Sequence, residues 1–460
     1  MAIADGYLRS LNAFRFVRAG AAFAKSLVIT KTMFIKALFL FLAALIANQS
    51  IAGRVLDSDQ AGNTLFVSKP TGQHADEYLS SMQTQLASGF INCAVKLYGD
   101  GKIQKAFCDS AQKAAAVGIH RIRDYRKLGG KEWLFLSTKT QTKGDETKHC
   151  VLEAGALKNC FSMPFLDPHD FLIAKNGDRI YMFYEPRLNE KRWLSGKALD
   201  LVLRRINANG EVVWTWSSAK DFNVSYKPNP QKTWISNLVR WSKEVRTSVM
   251  TNFGVDGEHP FCVDLFGVHC MQNHYIDYMH ANSLEWDGEG GVIVSGRDIN
   301  TIFKIDLNTG AVEWRIGGYH ADKSDFTIVN DPFEGFSYQH SARILPNNHL
   351  LLFDNGNDRP EKKTRVVEYE LDFEKKTATY VWGHTAPDDF PFRRCCGAVQ
   401  RLANGNSFIA WGGWKIGAHD RESILVAQEV RKTGDVVSEI RSTVQALPYR
   451  VWKVEDGKSR

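Results

Sequence analysis

The sequence predicts an all-β chain: a six-bladed β-propeller with a helical insertion and a divergent N-terminal region. Three observations point there. Aromatic residues make up 12% of the 460, with 36 Gly against 13 Pro, a composition suited to pleated, half-buried surfaces joined by many turns. From residue 169 onward one pattern recurs, and its clearest copies begin HDFLIAKNGDRIYMFYE at His169, HANSLEWDGEGGVIVSGRD at His280, HSARILPNNHLLLFDNGND at His340 and GAVQRLANGNSFIAWGGW at Gly397. Their second halves also match, as LVLRRINANGEVVWTW, IFKIDLNTGAVEWRIGG, VVEYELDFEKKTATYVWGH and ILVAQEVRKTGDVVSEI.

Each copy reads as two hairpins, because short apolar runs alternate with Asn-Gly, Asp-Gly or Thr-Gly turns. Four-stranded repeats at periods of about 40 residues or more mark propeller blades. The starts lie 111, 60 and 57 residues apart, so the first interval hides a double step or a long insertion. Residues 53–460, divided by six, allow about 68 per blade. Two degenerate blades are therefore expected before His169, one of them at HRIRDYRKLGGKEWLFLST from His120.

Taken in order, residues 1–52 form a leader. Met33 begins MFIKALFLFLAALIANQSIAG: Lys36 is the positive flank, Ala37 to Ala47 the apolar run, and Ser50-Ile51-Ala52 the small residues before Gly53. This is a signal-peptide pattern over 33–52, and translation from Met33 would make it conventional. Eleven apolar residues are too few to span roughly 30 Å of hydrocarbon. A periplasmic or secreted protein with no stable membrane span after cleavage is expected. Residues 53–115 are assigned to the divergent region and first blade, and 116–460 to the remaining blades, with the helical insertion at 217–279. Within it Trp234, Leu238, Trp241, Val245 and Val249 recur three or four apart after Thr233, a helical period ending near Gly254. Ala75 to Gly89 is read as a second helix.

The formal charge of +7 belongs mostly to the leader, which holds six basic residues and one acid. The remaining residues carry 52 basic against 50 acidic groups, with no basic stripe that would recommend nucleic acid. Hydrophobic and charged fractions of 44% and 24% exclude disordered, collagenous and coiled-coil classes. Eight cysteines follow the leader, and their spacing predicts Cys93–Cys108, Cys150–Cys160, Cys262–Cys270 and a neighbouring Cys395–Cys396 pair, consistent with an oxidising compartment.

Chemistry is expected where the first strands of the blades line the central channel. Three copies place a histidine at one register, His169, His280 and His340, where the fourth has Gly397 or Ala398. Bridging between blades by hydrogen bonds is the structural alternative. Arg297 follows the second strand of its copy, where the others have Glu185, Asn355-Gly356 or Gly412-Gly413. Its fork of donors suits a tetrahedral oxyanion; a surface pair with Asp298 is the alternative. Asn282, two residues beyond His280, is a candidate for substrate binding or for orienting a neighbour. Zinc on the three histidines is disfavoured by the adjacent arginine and by the lack of CxxC or HExxH. No phosphate-cradling GxxxxGK[ST] loop and no GxSxG elbow is present, so no cofactor and no metal is expected.

The segments DPHDFLIAKNG, DYMHANSLEW, VSGRDINTIFKID, QHSARILPNNHLLLFDNG and GAVQRLANGNSFIAWG resemble the signature segments of the arylsulfate sulfotransferase family, in order, from about Asp167 to about Gly413. These periplasmic enzymes do not use 3′-phosphoadenosine phosphosulfate. The resemblance implies a six-bladed propeller moving a sulfuryl group from a phenolic sulfate ester to a phenolic acceptor through a sulfohistidine. It places the nucleophile on His340 of the QH motif, supporting histidines on His169 and His280, and the channel arginine on Arg297. A homodimer is compatible with it. Two other readings stand beside it: a quinoprotein-like propeller, from the DxxTGxxxW pattern in IDLNTGAVEWRIGG, and a non-catalytic propeller that binds a ligand or an envelope partner.

Overall fold

The computed structural model describes residues 65–69, 76–86, 89–100, 102–108, 119–140, 144–187, 197–222, 270–271, 275–387, 390, 392–412, 424–442 and 448–456. Met1–Gly53 and Arg54–Arg460 separate as two units, and every described residue belongs to the second. The described residues form strands and no helix. After β1 (Leu65–Lys69), blade one contains β2 (Glu77–Leu86), β3 (Gly89–Tyr98) and β4 (Ile103–Cys108). Blade two contains β5 (Ile119–Leu128), β6 (Lys131–Thr140), β7 (Gly144–Glu153) and β8 (Ala156–Phe161). Blade three contains β9 (Leu166–Ile173), β10 (Arg179–Pro186), β11 (Lys197–Ile206) and β12 (Val212–Ser217), extended by β13 (Cys270–Met271) and β14 (Tyr275–Asp277). Blade four contains β15 (Ala281–Trp286), β16 (Gly291–Gly296), β17 (Thr301–Asp306) and β18 (Val312–Gly317). Blade five adds β19 (Thr327–Val329) to β20 (His340–Ile344), β21 (His349–Asp354), β22 (Arg365–Asp372) and β23 (Thr377–Thr385). Blade six contains β24 (Ala398–Arg401), β25 (Ser407–Ala410), β26 (Ile424–Val430) and β27 (Val436–Ser442), and β28 (Val451–Val454) follows.

Alternation along the strands explains the ring. Val292 and Val294 of β16 pack with blade three, whereas Ile293 between them packs with blade five. In β21, Leu350 and Leu352 face blade four, and Leu351 and Phe353 face blade six. Successive residues point to opposite faces of a sheet, and both faces of a blade are covered, so its middle strands read as continuous apolar runs. The result is six hydrophobic clusters, one between each neighbouring pair of blades and the last joining blade six to blade one. The inner strands touch in the order β28, β5, β9, β15, β20, β24 and back to β28.

Blade one draws its inner strand from the other end of the chain: β28 pairs antiparallel with β2, Val454 opposite Glu77 and Val451 opposite Ser80. In return β1 adds to the outer edge of blade six along β27. The helix expected from Ala75 to Gly89 is corrected to the strand β2. Its residues pair with β3 from Glu77 opposite Tyr98 to Leu86 opposite Gly89, and tertiary pairing of this kind overrides local propensity. The interval before His280 is an insertion rather than a double step. Residues 218–222 turn away from β12, and β14 returns parallel to the start of β11. The helix expected around Trp234 to Val249, the signal-peptide segment and Cys262, the expected partner of Cys270, lie outside the described residues. The expected Cys93–Cys108, Cys150–Cys160 and Cys395–Cys396 disulfides are formed.

A buried ionic cluster ties the inner strands together. Arg450, beside β28, donates to the Asp124 carboxylate on β5 at 3.2 Å and to the carbonyls of His169 on β9 at 2.8 Å and Asn282 on β15 at 2.7 Å. Arg126 bridges Asp124 and Asp170, the latter at 2.8 Å, and Trp452 Nε1 donates to Asp124 at 2.7 Å. Removing one member of such a buried network leaves an uncompensated charge, at a cost of about 3–5 kcal/mol. An Arg450→Met chain is expected to lose that much unfolding free energy in urea; a loss within about 1 kcal/mol would show the cluster to be dispensable.

Candidate active site

His169 and His280 each place Nδ1 against an aspartate carboxylate, whereas His340 places it against neutral oxygens. His169 Nδ1 lies 2.7 Å from Asp167 Oδ1. His280 Nδ1 lies 2.5 Å from Asp277 Oδ2. His340 Nδ1 faces two neutral oxygens, Asn355 Oδ1 at 2.7 Å and the Tyr338 carbonyl at 3.1 Å. Both are acceptors, so Nδ1 of His340 carries the proton and Nε2 keeps its lone pair. The Asn355 amide is itself oriented, with Nδ2 donating to the carbonyls of Arg393 and Cys396.

Electrostatics follow from these partners. Burial, the positive charge of Arg297 and that of Arg450 hold His340 well below the ordinary imidazole pKa, against the raising effect of Asn355. Burial also lowers His280, but Asp277 and, less strongly, Asp298 outweigh it and leave its pKa raised. For His169 burial prevails over Asp167, and the pKa is lowered. Asp298 is pushed up to about 6 by burial, opposed by Arg297 and His280. One imidazole is thus biased toward the cation and two toward the neutral form.

The three rings and Arg297 are brought together at one site. The rings of His169 and His280 meet edge to face at 4.9 Å, and Tyr449 stands 5.7 Å from His169 and 6.3 Å from His340. Arg297 lies at the end of β16, fully buried, with Nη1 on Asp298 at 2.5 Å and its guanidinium 4.4 Å above the Tyr338 ring. The Asp298 pair anticipated from sequence therefore exists, in the interior rather than at the surface. Asn282 Nδ2 donates to the Gln339 carbonyl at 2.7 Å, and Gln339 Nε2 reaches Ser295 Oγ and the Gly296 carbonyl. Asn282 thereby seats the dipeptide that presents His340. Gly397 occupies the fourth copy for a steric reason: its φ is +98°, and a Cβ there would stand 2.5 Å from the Phe353 ring.

A strap of chain, Arg393 to Gly397, closes over these groups. The Cys396 N–H donates to His340 Nε2 at 3.1 Å, and the Arg394 carbonyl accepts from Arg297 Nη2 at 3.1 Å. Gly397 N–H donates to the Tyr449 carbonyl. Sequence reasoning did not single out Asp167, Asp277, Asn355, Tyr449, Arg450 or this strap. The aspartates carried a signal, since DPH and DYMH place an acid two or three residues before the histidine whereas YQH does not. No group of three or more His, Cys, Asp or Glu able to hold a metal ion occurs among the described residues. The IDLNTGAVEWRIGG pattern has a local role: Asp306 Oδ1 accepts from the N–H groups of Asn308 and Thr309 and closes a hairpin turn.

The model of the family described as arylsulfotransferase (ASST) matches residues 160–450, well over half of the chain. No curated protein matches significantly. Among solved structures, a protein of unknown function from Bacteroides caccae is 12% identical, with 83% of this chain and 99% of that chain covered and a TM-score of 0.44. A periplasmic gluconolactonase of Pseudomonas aeruginosa is 10% identical, with 83% and 99% covered and a TM-score of 0.39. Virginiamycin B lyase from Staphylococcus aureus is 11% identical, with 82% and 88% covered and a TM-score of 0.34.

Nitrogen NMR of the imidazoles checks the assignment of charge. His340 is expected to hold the neutral, Nδ1-protonated form as pH falls through about 6.5, the value of a free imidazole, and His280 to keep its second proton above that pH. Asn355→Leu should mix the His340 tautomers. A His340 that titrates like free histidine contradicts the reading.

Proposed function

The chain belongs to the arylsulfotransferase family, and from that premise we propose that it moves a sulfuryl group from a phenolic sulfate ester to a phenol by way of a sulfohistidine on His340. The observation that carries the reading is the asymmetry of the imidazoles: a neutral His340 with an unprotonated Nε2, beside Arg297 and a His280 biased toward the cation.

In the first half-reaction His340 Nε2 attacks sulfur, an N–S bond forms and the aryl O–S bond breaks. The departing phenolate takes the proton of His280 Nε2. Arg297 holds the sulfuryl oxygens as charge redistributes, the kind of preorganised donor whose loss costs about 10²–10³-fold in rate. In the second half the acceptor phenol gives its proton to the now neutral His280 and attacks sulfur. The N–S bond breaks, and His340 returns to its starting form. Two displacements replace one difficult one, with no sulfonucleotide donor. His169, held by Asp167, packs against His280 and limits its orientations. Asn282 acts through the seat of His340 and bears on substrate only in that way.

Both polar ends of this machinery are occupied by the strap. Sulfuryl binding therefore exchanges the Arg394 carbonyl for a sulfuryl oxygen on Arg297, and frees Nε2 from the Cys396 N–H. That occupancy is also what favours the second reading, a non-catalytic propeller whose strap stays closed. Export to an oxidising compartment, periplasmic or extracellular, is supported by the leader pattern and by three disulfides.

Incubation with 4-nitrophenyl sulfate and phenol should release 4-nitrophenolate and leave an acid-labile sulfuryl adduct on the peptide containing His340, detected by mass spectrometry. His340→Ala should abolish both, and Arg297→Gln should lower kcat by about 10²–10³-fold. An active His340→Ala protein removes the proposed nucleophile, and a wild type inactive with every phenol leaves the second reading.

With His280 as the acid, turnover should fall on the alkaline side, above its raised pKa. His280→Asn should lower kcat by about 10²–10⁴-fold and remove that alkaline limb. A limb that survives the substitution assigns the proton to another group.

A further inference from the structure

Among the described residues, the buried arginines other than Arg393 come with carboxylates. Arg126 has Asp124 and Asp170, Arg297 has Asp298, Arg359 has Asp354, Arg365 has Asp331 and Asp354, and Arg450 has Asp124. Arg393 breaks the pattern. It is 3% exposed, its Nε and Nη2 have no hydrogen-bond partner, and it makes no ion pair among the described residues. Burial with nothing to offset it draws its pKa down to about 10. A buried, unneutralised cation is costly unless an anion completes it.

The surroundings indicate which anion. The guanidinium lies 4.4 Å from the centre of the Phe390 ring, and the Arg393 N–H donates to Thr364 Oγ1 at 3.1 Å. Phe390 and Thr364 also line a cleft of about 130 Å³, with Phe392, Pro387, Thr385 and Lys363 among its other walls. That is close to the volume, about 150 Å³, at which an apolar cavity admits one benzene ring. The lining combines aromatic and aliphatic side chains with hydroxyl-bearing and cationic ones. This matches a flat apolar body with one charged end, where a bare inorganic ion would leave the phenylalanines without a role.

We propose that Arg393 and the adjoining cleft form a subsite for a single-ring aromatic anion, with the ring against Phe390 and Phe392 and its carboxylate or sulfonate on the guanidinium. The subsite stands apart from the groups assigned to sulfuryl transfer and is independent of that reading. It adjoins the transfer site all the same, because the Arg393 carbonyl accepts from the Asn355 amide that orients His340.

Calorimetric titration of the full chain tests it with three probes: benzenesulfonate, benzamide as the uncharged ring, and inorganic sulfate as the anion without a ring. Benzenesulfonate should bind wild type and His340→Ala alike, at least tenfold more tightly than either other probe. Arg393→Gln should weaken it at least tenfold, and Arg393→Lys should lose part of that. Because the substitution removes an unpaired buried charge, Arg393→Gln should melt no lower than wild type. Unchanged binding by Arg393→Gln, equal binding of sulfate, or binding lost in Arg297→Gln but kept in Arg393→Gln would each overturn the proposal. So would a melting temperature several degrees below wild type, which would make the guanidinium structural.

Discussion

The Arg450 guanidinium is the point on which ring closure and site assembly both depend. It comes from the last part of the chain, yet it bonds to residues on β5, β9 and β15, the inner strands of blades two, three and four. Two arginines and two aspartates meet there, Arg126 and Arg450 with Asp124 and Asp170, so the buried charges balance. Such a cluster contributes little net stability over an apolar core of the same shape, but breaking it is costly. Its value is geometric. Guanidinium and carboxylate satisfy one another in few arrangements, so the inner strands are held in one register. The residue before Arg450 is Tyr449, whose ring stands beside His169 and His340. Docking of β28 thus completes blade one and delivers a wall of the candidate site in one step.

Charge at that site is sorted by what stands behind each imidazole. All three histidines are desolvated, and burial alone would leave all three neutral. Only His280 has two acidic influences, Asp277 and Asp298, and only there does the balance reverse. His340 has an amide where the others have a carboxylate, so its tautomer is set without being charged. A carboxylate in place of Asn355 would favour an imidazolium and remove the lone pair that a nucleophile needs. The orienting group is polar enough to fix the ring and too weak to protonate it.

The parts legible in the sequence are those that repeat. Middle strands such as GVIVSG and HLLLFD bury both faces, and their apolar runs between Gly-containing turns made blades three to six visible. Blade one was not visible as a unit because its inner strand lies at the far end of the chain, and Glu77–Leu86 carries few apolar residues until its pairing with β3 and β28 is known. The three histidines and Arg297 were legible by register. Tyr449 and Arg450 were not, since VWKV alone is too short to announce an inner strand. The Cys396 amide left no side-chain signal at all; main-chain donors are set by fold, and only the unusual Cys395-Cys396 pair marked the place.

The strap gives these observations a common consequence. At rest it meets the hydrogen-bonding needs of the two most exacting buried groups, the His340 lone pair and one Arg297 donor, both of which would be costly to bury unpaired. A sulfuryl group offers replacements of the same kind: oxygens for Arg297 and, once nitrogen is bonded to sulfur, oxygens for the Cys396 N–H. Both donors, Arg297 and the Cys396 N–H, would regain an acceptor in the sulfuryl group, and the Arg394 carbonyl keeps the Asn357 amide, so opening the strap would cost little beyond the difference between similar hydrogen bonds, about 0.5–1.5 kcal/mol apiece. Water could make the same exchange at His340, but it brings no negative charge to Arg297. If the proposed transfer holds, the closed strap would discriminate by charge before any chemistry, admitting a monoanionic ester more readily than the neutral phenol that would follow it. On the proposed mechanism an acceptor would enter only after a sulfuryl group on His340 had taken the strap's place, which would order the two half-reactions without any further device.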